Sequence, residues 1–106
     1  MNFPNHQLLM EIIKWIEDWY SNNCNGDWEH SFGIEITTLD NPGWQVKIDL
    51  NETSLEGMLY EYQLIENSED DWYAIKAEGK VFTAAGDPHK LEFLLKKFKE
   101  IAAGQK

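Results

Sequence analysis

The stretch Phe32–Asn51, "FGIEITTLDNPGWQVKIDLN", decides the fold. Phe32, Ile34 and Ile36 fall on one side of an extended chain, with Glu35 and Thr37 on the other. After a short interruption Trp44, Val46, Ile48 and Leu50 alternate with Gln45, Lys47, Asp49 and Asn51. A period of two is the mark of a strand with one buried and one wet side. The interruption "LDNPG" is turn chemistry: Pro42 sets its own φ, and Gly43 is free to take a positive φ. Two strands joined by so short a link predict an antiparallel hairpin.

The pattern continues on both sides. Ahead of the hairpin, Leu8, Leu9, Ile12, Ile13, Ile16, Trp19 and Tyr20 recur at helical spacing after Pro4, with Glu11, Lys14, Glu17 and Asp18 opposite. This helix is expected to end in "SNNCNG" and to lie flat on a sheet. Beyond the hairpin, "NETSLEG" reads as a connection, and residues 58–66 as a third strand with Tyr60, Tyr62 and Leu64 on one side and Glu61 and Gln63 on the other. "ENSEDD" reads as a turn, Trp72–Ala77 as a fourth strand with Tyr73 and Ile75 inward, and Val81–Thr83 as a short fifth. Asp87 and Pro88 read as N-cap and first turn of a second amphipathic helix carrying Leu91, Leu94, Leu95, Phe98, Ile101 and Ala102, with Gly104 just past its end. The expected fold is α+β: a four- to five-stranded antiparallel sheet with the N- and C-terminal helices packed on one face, in two layers, as a single domain over residues 1–106.

Composition narrows the function. The chain carries 19 acidic residues against 9 lysines, a net charge of −10. Residues 1–79 hold 16 acids and only Lys14, Lys47 and Lys76, whereas residues 80–106 carry a net +3. Such a field repels nucleic acid and anionic lipid and attracts basic partners. The first residues, "MNFPNHQLLM", have neither the basic start nor the apolar run of a secretory signal, and no stretch has the roughly 20 apolar residues of a membrane span. A lone Cys24 fits a reducing compartment, so the expected location is cytoplasmic.

Chemistry-bearing residues gather in "GDWEH", residues 26–30, but not in a recognisable catalytic order. Asp27, Glu29 and His30 have no known ligand spacing, His6 and His89 lie far away in sequence, and Cys24 has His30 alone as a nearby base. No glycine pattern for phosphate binding is present. The expectation is a non-enzymatic chain with no cofactor and no metal, in which these residues satisfy the backbone. A small metal-binding or hydrolytic domain using Asp27, Glu29 and His30, and a general protein-interaction adaptor, stay as alternatives. The most partner-like feature is the acidic run Glu66, Glu69, Asp70 and Asp71 ending at Trp72, with Glu61 nearby: an aromatic anchor among charges. A second is the polar side of the strands, bearing Glu35, Lys47, Asp49, Glu61, Gln63 and Lys76.

The segment "CNGDWEHSFGIEITTLDNPGWQVKIDLNETSLE" closely resembles the immunity protein 53 family of bacterial polymorphic toxin systems. The resemblance extends to "WIEDWY" before it and to Trp72, Phe82 and "GDPHKLEFLLKKF" after it. Its most specific part is Gly26, Asp27, Trp28, Glu29 and His30, followed by Gly33 and Ile34, then by Leu39, Asp40, Asn41, Pro42, Gly43 and Trp44. The resemblance implies an antidote that binds and blocks a cognate toxin domain, with no catalytic residues to carry over. The motif positions are then expected to serve the fold. The partner would be a basic protein domain such as a nuclease, and the chain a monomer or homodimer.

Overall fold

The structure, a computed structural model, describes residues 4–104, with side chains described from Glu11 onward. The side chains of His6, Leu8 and Leu9 lie outside the described residues. Helix α1 spans Pro4–Asn23 and a single helical turn, α2, spans Trp28–Ser31. Strands follow at Ile34–Leu39 (β1), Gly43–Asp49 (β2), Met58–Ser68 (β3), Asp71–Gly79 (β4) and Val81–Gly86 (β5), before helix α3 at Leu91–Gly104. All neighbours are antiparallel, in the order β1-β2-β5-β4-β3. The expected α+β sheet with a helix at each end is what forms.

β5 is the central strand. Only Lys80 separates it from β4, with Gly79 at φ +76, so β5 must fold back beside β4 on the side that β3 leaves open. Its far edge then receives β2, from Trp44 opposite Gly86 to Asp49 opposite Val81. Sequence reading ends this strand at Thr83, because Ala84, Ala85 and Gly86 have weak strand preference. The small size of Ala84 and Gly86 is what the helix side needs, since α3 packs against β2 and β5, whereas Ala85 faces the other side.

The core forms between that helix and the sheet. Val46, Ile48, Leu50, Ile75, Phe82 and Ala84 meet Leu94, Leu95 and Phe98, all essentially inaccessible. The apolar stripe of α1 does not lie flat on strands as expected. It packs chiefly on α3, with Trp15 and Trp19 edge-on to Phe98 at ring-centre distances of 5.9 and 5.1 Å. Among the described residues, no helix is long and apolar enough to cross a membrane.

Other local expectations need correction. Ile36 pairs with buried Val46 and shares its face, yet is 42% exposed, because β1 is an edge strand beyond the cover of the helices. Gly43 has no positive φ; it is glycine because a Cβ there would collide with the Gly86 carbonyl oxygen of the neighbouring strand. Asp87 lies four residues before α3, and its carboxylate caps the preceding turn through the His89 N–H. In β3 the pairing slips between Tyr60 opposite Ala77 and Gln63 opposite Ile75. This bulge puts one extra residue in β3 and reverses its faces: Gln63 joins Tyr60 on the helix side, and Leu64 turns to the other.

Candidate partner-binding surface

The sequence-predicted residues separate into two groups at opposite ends of the β1–β2 hairpin. At one end, "GDWEH" is not extended, because Trp28–Ser31 forms the helical turn α2. Gly26 takes φ +97 to start it. The Asn25 side-chain oxygen accepts the N–H groups of Asp27 and Trp28, both at 2.9 Å. Glu29 reaches back, its carboxylate accepting the N–H groups of Asn25 (3.0 Å) and Gly26 (2.9 Å). Its own N–H, then those two donors, hold the Glu29 carboxyl below the usual carboxylate range.

Trp28 is buried under Trp19 and Tyr20, and its indole N–H donates to the Asn51 carbonyl at 2.8 Å. Gly33 is tied to β2 by donating to the Asp49 carboxylate at 2.9 Å. Asp27 and His30 are exposed, and Asp27 makes no side-chain cap bond. Cys24 donates its thiol proton to the Tyr20 carbonyl. Among the described residues, no three His, Cys, Asp or Glu side chains are grouped to hold a metal ion. The arrangement is a corner: it turns α1 into β1.

The other group is brought together. The β3–β4 connection is the two-residue turn Glu69–Asp70, so Glu66, Glu69 and Asp70 surround the start of β4. Across from them lies the β1–β2 turn, whose Asn41–Pro42 peptide is cis. Asn41, Pro42, Leu64, Glu66, Glu69, Asp70, Trp72 and Pro88 line one depression of about 490 Å³. Two motif residues therefore share a site with the acidic run. Trp44 is placed nearby, its indole N–H donating to the Pro88 carbonyl at 2.9 Å. The Trp72 indole lies against Gly43, within 3.5 Å of where a Cβ would be.

Trp72 is braced from behind. Its N–H donates to Asp87 Oδ2 at 2.9 Å, and its carbonyl accepts the Asp87 N–H at 3.2 Å. Lys90 Nζ sits 2.7 Å from both Asp87 and Asp71. Burial raises the Asp87 pKa, but the Lys90 hydrogen bond and the Trp72 and His89 N–H groups more than offset this and bring it to about 2. Asp71 is thus occupied by Lys90. Glu61, Glu66, Glu69 and Asp70 take part in no ion pair among the described residues, and all are exposed.

A second depression, of about 380 Å³, adjoins the first on the helix-free face of the sheet and shares Leu64 and Trp72 with it. Tyr62, Leu64 and Trp72 stand around a floor that includes Ala74, Thr83 and Ala85, with Lys76 also lining it. Tyr62 and Leu64 are 63% and 47% exposed. Sequence reading missed this surface, because it assigns both residues the same side as Tyr60. The one available signal is Leu64-Ile65, two adjacent apolar residues in opposite phases. Glu61 lies in the bulge, farther from the acidic turn than its sequence neighbours suggest, and Gln63 leaves this face altogether.

In comparison with known proteins, a family model described as Immunity protein 53 matches residues 13–103. No curated protein and no solved structure matches the chain.

Proposed function

The chain belongs to the immunity protein 53 family, and we propose that it is the antidote of a bacterial polymorphic toxin system, neutralising a cognate toxin domain by occupying its working surface without catalysis. The observation that carries this reading is the acidic end of the β3–β4 hairpin. Glu66, Glu69 and Asp70 are exposed, unpaired among the described residues, and gathered on one rim beside the half-buried Trp72. Charges left unneutralised at a concave surface favour a cationic partner, and such complementarity raises the association rate more than it deepens affinity. A basic toxin domain such as a nuclease, whose own ligand is anionic, fits that field. The single unbridged cysteine agrees with action in the cytoplasm. The spent hydrogen bonding of Glu29 favours a structural role for "GDWEH" over hydrolysis or metal binding.

The test is a titration of the chain against the toxin domain encoded beside it, at low and moderate salt. Tight binding that abolishes toxin activity and weakens with salt is the expected result. Replacing Glu66, Glu69 and Asp70 by lysine should slow association and flatten its salt dependence, while the circular dichroism spectrum is kept. A correctly folded toxin that the chain neither binds nor inhibits would overturn the reading.

A further inference from the structure

We infer that the helix-free face between β3, β4 and β5 is the centre of the toxin contact, and that it takes an apolar side chain of the toxin flanked in its own chain by lysine or arginine. The inference rests on the antidote function proposed above and names the chemistry of its contact. The face is built for an apolar guest. Tyr62, Leu64 and Trp72 form walls, and small residues, Ala74, Thr83 and Ala85, leave the floor low. The β3 bulge, which interrupts the hairpin ladder, brings Leu64 to this side and leaves it 47% exposed. Large apolar side chains left open around a depression are the usual material of an interface centre.

The surroundings specify the guest. Toward the hairpin end, Leu64 and Trp72 continue into the depression rimmed by Glu66, Glu69 and Asp70. An apolar residue seated on Ala74 and Ala85 therefore has its neighbours toward the hairpin end over carboxylates, which favours cations there; Lys76, which lines the depression as well, is paired with Glu78. An apolar centre with a charged rim is the ordinary anatomy of a specific interface. The Trp72 main chain is held by two hydrogen bonds with Asp87 and its indole rests against Gly43, which limits the freedom it has to lose on binding. A second copy of this chain is a poor occupant, because it would bring another −10 and a second acidic rim to the same place.

The test compares the wild-type chain with Leu64→Ser, Tyr62→Ser and the double variant, each titrated against the toxin domain encoded beside it, with melting curves and size-exclusion profiles. Both side chains are exposed, so the variants are expected to melt like the wild type. The double variant should raise Kd by roughly 100-fold, through faster dissociation, as loss of an interface centre does. Wild-type binding with an unchanged Kd in the double variant overturns the inference and leaves the antidote reading standing. Failure of the wild type itself to bind overturns both. A wild-type dimer that Leu64→Ser turns into a monomer assigns the face to a second copy and also overturns the inference.

Discussion

Asp87 is fully buried, and it joins three elements at once. Its carboxylate receives the backbone of β4 at Trp72, the turn at His89 and the Lys90 ammonium ahead of α3. With its pKa lowered to about 2, it binds a proton more readily unfolded than folded. Its stabilising contribution is therefore complete above the unfolded value near 3.8 and is lost as pH falls toward 2. Asp87→Asn should cost about 2 kcal/mol at pH 7, the linkage equivalent of that shift, because an amide nitrogen then faces donors where a carboxylate oxygen accepted, while Lys90 keeps Asp71. The difference from wild type should shrink between pH 4 and pH 2, which denaturant titrations at several pH values would measure. A pH-independent difference would mean that the carboxylate charge is not what matters. Gly43 and Gly33 make a second contrast. An alanine Cβ at 43 meets the Gly86 carbonyl oxygen, whereas at 33 nothing lies within 4 Å. Gly43→Ala should cost about 1–3 kcal/mol by overpacking, and Gly33→Ala should leave the melting temperature near that of wild type.

At the scale of elements, legibility in the sequence followed the evenness of burial. β2 was readable from end to end because it is interior to the sheet and covered on one side: Val46, Ile48 and Leu50 are inaccessible, while Lys47 between them is exposed. β1 carries the same alternation but stands at the edge, where the pattern overstates burial. Ile36→Lys should therefore change stability by less than about 0.5 kcal/mol, as surface substitutions do. Ile48→Ala should cost about 2–5 kcal/mol through the cavity it leaves. Equal losses in denaturant unfolding would show that α1 or α3 covers β1 after all. The candidate site was half legible. The acids and Trp72 announce themselves as a run, and the hairpin turn at Glu69–Asp70 formed where "ENSEDD" places it. The apolar half was hidden, because a one-residue bulge leaves no mark in composition yet reverses every side chain beyond it. Long-range placements were equally invisible: nothing local says that Asn41 and Pro42 will line one depression with Glu66 and Asp70.

For the whole molecule, the question is whether toxin capture uses the total charge or its placement. The net charge of −10 acts at long range, but each carboxylate is screened within about 8 Å at physiological salt. The molecule is 40 × 39 × 28 Å, so acids on different faces are largely independent. Glu11 and Glu17 are exposed on α1, which packs in the helical layer, whereas Glu69 and Asp70 tip the hairpin beside the helix-free face. Changing either pair to lysine alters the charge by the same amount, from −10 to −6. If the proposed surface meets the toxin, Glu69→Lys with Asp70→Lys should slow association roughly 10-fold or more at low salt, within the range that steering commands. Glu11→Lys with Glu17→Lys should slow it far less, and the two should converge at high salt. Stopped-flow association rates across an ionic-strength series distinguish the cases. Equal slowing by both pairs would mean that net charge alone draws the toxin in, and greater slowing by the α1 pair would move the contact to the helical layer. Because the comparison holds net charge constant, it reads the position of the interface rather than the acidity of the chain.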